Sequence, residues 1–530
     1  TSRALAVQAR TLELYQQLDL TDHVLRHGHT VAAINLWVKG APVAHLPLTR
    51  IGEGLTPYGF LQIFPQDEHE RFLIERLRAE GISVERGVEL RGFIDQGDQA
   101  QVQLLHPDGH LESAETLYLA GCDGARSTVR HGLGSGFPGG TYQQVFYVAD
   151  VQGQGPTFNG ELHVDLDEAD FLAVFPLAGN GRARLIGTVR DERAARAESL
   201  RLEDISRRAI DHLKVQVDQL NWFSTYRVHH RVTEQFRVGR TFLLGDAAHV
   251  HSPAGGQGMN TGIGDAINLA WKLASVITGR ADETLLDSYE PERIGFARQL
   301  VATTDRVFTF ATAQGPVADL LRTRLAPLLI PRALALGAVR EWLFRTVSQL
   351  TLNYRHSALS DGAAGHVHGG DRLPWVNAGG RDNFTTLQTL EWQVHVYGKA
   401  GKDLQAVCAT EGLRLHVFDW HPEHGEAGLA RHALVNRDAE AAERYATEAI
   451  TKDANNADVW MFRGGMLRAT GKSDEAVKAF DKVLALRPND RNANVEKAYI
   501  RIEQGKYAEA RAEIEAGRKA APNSLAVVHA

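Results

Sequence analysis

The chain has 530 residues, 43% hydrophobic and 23% charged, with a formal net charge of −7. That length suggests several domains, and the composition is that of ordinary globular protein. The acidic balance argues against nucleic acid as a main partner, and no apolar run reaches the roughly 18 residues that a membrane-spanning helix needs. Two cysteines, Cys122 and Cys408, give neither a disulfide framework nor a metal site, so a reducing cytoplasm is the expected setting. No secretory segment follows Thr1.

Taken in order, residues 3–19 follow a helical period, with Leu5, Leu12, Leu14 and Leu18 near one face. Residues 31–63 alternate like strands, broken by Gly40, Pro42 and Gly52, and 64–81 read as a strand exit and then a helix ending at Gly81. Short strands fill 82–120, with a hairpin at Pro107-Asp108-Gly109. From 139 to 236 the pattern predicts a mostly antiparallel sheet, with a hairpin at Gly179-Asn180-Gly181 and one helix near 203–220. Helical segments run on to about 355, and 361–436 carries two strand-like runs, 392–398 and 413–420.

The tail repeats itself. Gly471 with Gly505, Ala476 with Ala510 and Pro488 with Pro522 are each 34 residues apart. A 34-residue period of paired helices resembles tetratricopeptide repeats. Residues 439–456 resemble the second helix of an earlier unit, with Ala454 in the place of the proline. Two and a half repeats bury little surface alone, so the tail is expected to lean on something else.

The densest chemistry lies at GDAAHVHSPAGGQGMNTGIGDAINLAWKL, residues 245–273. TFLLG (241–245) reads as a buried parallel strand, and Asp246 stands at its carboxyl end, where ligands bind in open α/β sheets. A glycine-rich loop, Ser252–Gly258, then runs into a helix whose apolar positions include Ile263, Ile267, Ala270, Trp271 and Ala274, with Gly279 able to cap its end. Amides at such a helix start suit an anion or a polarised carbonyl, and glycines let backbone approach a flat ring. LYLAGCDGARSTVR (117–130) repeats the order of strand, aspartate corner and helix, with Asp123 at the corner, a helix expected from about Ala125, and Arg126 and Arg130 one turn apart on it.

These two stretches resemble the internal fingerprints of the class A flavoprotein monooxygenases, the p-hydroxybenzoate hydroxylase-like aromatic hydroxylases. SRALAVQARTLELYQQLDL resembles the helix after the first flavin-binding unit of that family, and FPQDEHERFLIERL the segment carrying its flavin-contacting glutamine, here Gln66. The likeness spans roughly residues 1–435. It implies an α/β fold: an FAD/NAD(P)-binding Rossmann-like domain with an inserted antiparallel-sheet substrate domain, a thioredoxin-like domain without CxxC, and then the all-α repeat tail. The expected divisions are 1–138 and 237–360 for the FAD-binding domain and its helices, 139–236 for the substrate sheet, 361–436 for the thioredoxin-like domain and 437–530 for the repeats. The family's first βαβ unit, with its G-x-G-x-x-G turn, is missing from this sequence, and the expectation is of a truncated chain lacking roughly 30 to 45 residues before Thr1. Gly134 to Gly139 fits the glycine pattern but follows a helix and contains Pro138, so it is set aside.

By the same resemblance, Asp246 would bond the ribityl and diphosphate end of FAD, and Pro253 would lie over the flavin. Gly258, Met259 and Asn260 would offer backbone to the N1–C2=O2 edge. Asp123 would sit where FAD and NAD(P)H are both handled, and Arg3 near the FAD phosphates. The implied activity is FAD-dependent hydroxylation of a phenolic or polyketide-like aromatic substrate with NAD(P)H and dioxygen, through a C4a-hydroperoxyflavin. The alternatives are a related flavin epoxidase or Baeyer–Villiger enzyme, and a non-catalytic flavin-domain remnant that binds a protein through 437–530. No catalytic base and no metal ligand is assigned. His249, His251 and the pair His229-His230 are read as packing and hydrogen-bonding groups, Trp271 and Trp460 as core, and Cys122 as a small buried residue.

Overall fold

The computed structural model describes residues 4–520 apart from 50, 166–170, 190–199, 206, 253–255, 313–320, 365–366, 379–380, 398, 419–446, 448–449, 452, 470–471 and 489. They fall into two compact units, residues 1–361 with 369–375, and residues 362–368 with 376–530.

The first unit opens with β1 (Ala6–Val7), α1 (Ala9–Gln17), α2 (Thr21–His27), β2 (His29–Val31), β3 (Ala33–Val38), β4 (Ala41–Pro47), β5 (Leu61–Ile63) and α3 (Gln66–Ala79). The helical period expected from residue 3 gives way here. Ala6 and Val7 pair with Ile63 and Gln62 of β5, so the chain is extended up to Gln8 and turns helical only at Ala9. Leu5, Ala6 and Val7 are all buried, and three consecutive apolar residues fit a strand between two layers as well as they fit a helix.

β6 (Glu89–Asp95), β7 (Ala100–Leu105) and β8 (Leu111–Thr116) form an antiparallel sheet of their own, with the 107–109 turn at its β7–β8 hairpin. Then come β9 (Leu119–Gly121), α4 (Thr128–Gly132), β10 (Gly139–Gln154), β11 (Leu162–Asp165), β12 (Leu172–Pro176), β13 (Arg182–Val189), α5 (Arg207–His212) and β14 (Gln216–Val232). The helix expected near 203–220 is therefore confined to one short segment. Lys214 takes a left-handed φ of 53° and ends it, and from Gln216 the chain joins a long antiparallel ladder with β10. Pairing across the sheet outweighs local propensity.

β15 (Arg237–Val238), β16 (Thr241–Leu243), β17 (His249–Val250), α6 (Gly258–Ile277) and α7 (Tyr289–Thr312) follow, with α8 (Ala326–Ala335) and α9 (Gly337–Val347) after them. The large sheet runs β17-β14-β10-β13-β12-β11-β3-β4, antiparallel but for the β11–β3 pair. Its side chains alternate between two cores. Val145, Tyr147, Ala149, Leu172 and Leu185 pack with Ala209 and Leu213 of the α5 segment. Ala173, Phe171, Phe175 and Ile186 pack on Leu5, Ala6, Val31 and Ile63. β9 and β16 pair in parallel in a separate three-stranded sheet. Phe242 and Leu243 are buried there against Leu269 of α6 and Ile294 and Ala297 of α7.

In the second unit, Gln393–Tyr397 and Arg414–Phe418 are parallel strands joined through the helix Lys402–Thr410. Two helical hairpins follow, Ala457–Ala469 with Ser473–Leu486 and Arg491–Glu503 with Tyr507–Ala520. Gly464 lies against the Phe480 ring, where a Cβ would come within 2.6 Å, and the buried Ala498 stands one period later. Most of the earlier helix expected at 439–456 lies outside the described residues.

Candidate cofactor site

At the end of β16 the chain reaches Gly245, with φ of 56°, and makes a 3₁₀ turn over Gly245–Ala247 that leaves Asp246 exposed. A side chain at Gly262 would meet the Gly245 Cα at 3.2 Å, so α6 packs directly on this turn. α6 is 20 residues long, and Gln257 at its N-cap position makes no side-chain capping bond. The amides of Gly258, Met259 and Asn260 therefore stand at an uncapped positive helix end.

Asn260 does more than the backbone role expected of it. Its buried side chain accepts from the Gln8 amide at 2.8 Å and the Thr11 hydroxyl at 2.8 Å, and donates to the Ala6 and Gly256 carbonyls, each at 2.9 Å. All four hydrogen-bonding positions of this amide are used, tying the start of α6 to β1 and α1. Met259 packs among Val7, Leu12 and Phe344.

Asp265, one helical turn further on, is fully buried. It accepts from Gly245 N (3.0 Å), His249 Nε2 (2.7 Å) and Arg293 Nε (2.6 Å). Arg293 also donates to the Thr261 carbonyl at 3.1 Å and the Tyr354 hydroxyl at 2.9 Å. Burial alone would raise the Asp265 carboxyl, but Arg293 and His249 outweigh it and hold it below its ordinary value. One carboxylate thus fixes the turn after β16, the strand β17 and helix α6 together. The sequence reading missed Asp265 and Arg293. A signal existed, because Thr261, Asp265, Asn268 and Lys272 recur at helical spacing, and all are buried.

His249 is thereby a structural hydrogen-bonding group, as expected. His251 is placed differently. Its Nδ1 lies 2.7 Å from the Ser252 carbonyl oxygen, and its Nε2 is buried without a hydrogen-bond partner. Burial, with His249 nearby, pushes its pKa down to about 4, the Ser252 carbonyl only partly opposing.

The second corner meets the first. Asp123 is exposed, and its carboxylate accepts from Val129 N at 3.0 Å. α4 starts at Thr128 rather than near Ala125, because the Ser127 hydroxyl caps it by accepting from Arg130 N. Arg126 therefore precedes the helix instead of sharing it with Arg130. Arg130 donates to Ala247 O at 2.8 Å, joining the two corners, and lies 4.0 Å from the Phe137 ring centroid. Cys122 is exposed, not buried, at the first position after β9 ends at Gly121. Gln66 begins α3. Its backbone and side-chain amide oxygen both bond Ala4, and its Nε2 donates to Glu70 at 2.8 Å. The 4–8 segment thus carries Gln66 at one end and Asn260 near the other. Arg3 and Pro253 lie outside the described residues. Among the described residues no cluster of His, Cys, Asp and Glu could hold a metal, and no helix is long and apolar enough to cross a membrane.

The set of groups fits a flavin nucleotide. Helix-start amides suit its electron-rich carbonyl edge, two exposed carboxylates at strand ends suit its hydroxyls, and a buried acceptor in need of a donor stands beside them. Two parallel strands ending in aspartate corners, with a long helix starting at one of them and a large antiparallel sheet alongside, define an FAD-binding α/β oxidoreductase.

Comparison with known proteins agrees. Residues 1–304 match the FAD binding domain family, and 428–491 and 467–530 match tetratricopeptide repeats. The 6-methylpretetramide 4-monooxygenase of Streptomyces rimosus is 38% identical over 384 residues, covering 70% of this chain and 67% of the relative. A flavin-dependent monooxygenase of Mycobacteroides abscessus is 34% identical over 334 residues, covering 60% and 69%. The solved structure of the OxyS anhydrotetracycline hydroxylase from Streptomyces rimosus superposes with a TM-score of 0.61 at 26% identity, covering 79% of this chain and 82% of that one. The chain belongs to the FAD-dependent aromatic hydroxylase family and is an FAD-dependent monooxygenase, with NAD(P)H as reductant.

Proposed function

We propose that this chain hydroxylates an electron-rich, polycyclic aromatic substrate of polyketide type, held between the large sheet and the loop before α6. The observation that carries the proposal is a continuous backbone ladder. β17, which leads into that loop, pairs with Arg231 and Val232 of β14 and so belongs to the large sheet. Across β14, β10 and β13 the same sheet carries Phe146 and Val228 with the half-buried Tyr142, Phe171, Ile186 and Tyr226. The Phe146 and Tyr226 rings lie 6.1 Å apart. Half-buried aromatic side chains on the sheet whose edge strand leads into that loop suit a flat apolar ligand. Relatives named for pretetramide and anhydrotetracycline rings support the same class.

Reduced FAD, when bound, supplies the activation of dioxygen. The chain's own contribution is placement and exclusion of water. The first-turn amides of α6 would receive the N1–C2=O2 edge. Asp246 and Asp123 would accept from cofactor hydroxyls, and Arg3, Gln66 and Pro253 keep the roles the family resemblance implies. The aromatic face would shield the reacting ring from water. The repeat helices over 457–520 support a second function, a protein partner for the tail.

The test supplies NAD(P)H, isotopically labelled dioxygen and a panel of polycyclic phenols, and follows reductant oxidation and product mass. One labelled oxygen on an intact aromatic ring is the expected result. Hydrogen peroxide as the sole product across the panel would overturn the proposal. A ring-expanded or epoxidised product would move the chain to the related oxygenation class.

A further inference from the structure

Among the described residues of the motif, His251 carries the buried side-chain atom that neither the protein nor the roles above account for. Its Nδ1 faces only a carbonyl oxygen, so Nδ1 carries the ring proton and Nε2 presents a lone pair. That lone pair is buried and meets no donor, an unfavourable state for a buried acceptor. His249, two residues away, spends its Nε2 on Asp265 and has no such vacancy.

The direction of Nε2 identifies what would satisfy it. Of all surrounding atoms, Nε2 would be nearest to a methyl group placed on Gly258, at 3.4 Å. It therefore stands beside the first residue of α6, where the uncapped amides point outward. An acceptor next to a row of donors selects a ligand edge with the opposite order, an N–H next to a carbonyl oxygen. A phosphate or carboxylate offers acceptors alone and would leave Nε2 unsatisfied. A –CO–NH–CO– imide satisfies both.

We propose that His251 is a cofactor-binding residue whose Nε2 accepts a hydrogen bond from the imide N–H of the flavin ring, beside the carbonyl received by the α6 amides. This rests on the flavin reading of the site and adds to it a side chain that recognises the isoalloxazine edge itself. Because the imidazole stays neutral through the physiological range, its acceptor is present whenever the cofactor arrives.

The experiment is a binding titration of the full chain with FAD and with FAD methylated on the imide nitrogen, read by flavin fluorescence and absorbance. The wild-type chain is expected to bind the methylated cofactor about fivefold to tenfold more weakly. His251→Phe should bind FAD more weakly by a similar factor and distinguish the two flavins little. His251→Gln, which offers an amide oxygen as acceptor, should recover part of the discrimination. It also guards against misfolding of the Phe variant, which circular dichroism checks directly. Equal affinity of the wild type for both flavins overturns the His251 assignment and leaves the flavin site standing. Undiminished discrimination in His251→Phe overturns it too, because the methyl group would then act by bulk. Failure of the wild type to bind any flavin overturns both readings together.

Discussion

Asp265 gives the sharpest test of how the site is held. In Asp265→Asn the carboxylate facing Arg293 becomes a neutral amide, while the guanidinium remains charged and almost entirely buried. Its remaining partners, Thr261 O and the Tyr354 hydroxyl, are neutral. Removing one member of such a buried pair costs roughly 3–5 kcal/mol, because the other charge stays behind uncompensated. Unfolding entropy is about 2.1 cal/mol/K per residue, so a unit of about 370 residues should melt lower by roughly 4–6 °C. Asp265→Asn combined with Arg293→Met removes both charges and should recover much of that loss. Differential scanning calorimetry of the two single variants and the double variant provides the measurement. A shift below about 1 °C for Asp265→Asn, or a double variant no better than the worse single one, would refute the reasoning.

Three further outcomes follow from neighbouring geometry. Asn260→Asp replaces the amide that donates to Ala6 O and Gly256 O with a second acceptor. It should lower stability by about 1–3 kcal/mol per carbonyl left unpaired and loosen FAD retention, and urea melts with a flavin titration report both. His69 and His163 are held at about 4 rather than 6.5, chiefly by burial. The fold therefore favours their neutral forms, and their contribution is complete above pH 6.5 and declines as pH falls towards 4. His69→Gln should reduce the loss of stability between pH 7 and 5, by up to about 1.4 kcal/mol per pH unit over the steepest part; an unchanged slope in urea midpoints would count against it. Gly264→Ala sets a methyl 3.1 Å from Arg293 Nη2, which Thr261 O holds in place. It should cost about 1–3 kcal/mol, whereas Gly295→Ala, with open space around it, should be neutral or stabilising by up to about 1 kcal/mol, as paired thermal melts would show.

The parts legible in the sequence were those where local pattern and tertiary role agree. The apolar run at 241–245 is a parallel strand, the glycine loop leads into α6, and the 34-residue spacing of the buried Ala476 with Ala510 marks real helical hairpins. The failures came where a distant partner decides. β5 makes residues 6–7 a strand, and β10 makes residues 216–220 one. The start of α4 was expected about three residues early, near Ala125, because the Ser127 hydroxyl rather than the corner itself sets it by accepting from the Arg130 amide. Asp265 looked like any charge on an amphipathic helix, since its partner Arg293 is 28 residues further on.

The polar groups around the loop divide by burial. Asn260 and Asp265 are buried and complete their hydrogen bonds within the protein, Asp246 and Asp123 are exposed at the strand ends, and the Nε2 of His251 is buried and unmet. The first pair builds the shape that the others present, so a ligand meets a site that needs little rearrangement. That division predicts coupling between anchor and ligand. FAD at a hundred times its dissociation constant should stabilise the wild-type chain by about 2.7 kcal/mol. In Asp265→Asn the same FAD concentration should stabilise less, because the single amide oxygen can face either Gly245 N or Arg293 Nε but not both, which loosens the hold of α6 on the turn after β16, and affinity falls with it. The comparison is the FAD-induced rise in melting temperature for the two chains. If the variant melts low without FAD yet keeps the full ligand-induced rise, Asp265 supports the fold and not the loop, and the coupling argued from its bond to Gly245 is wrong.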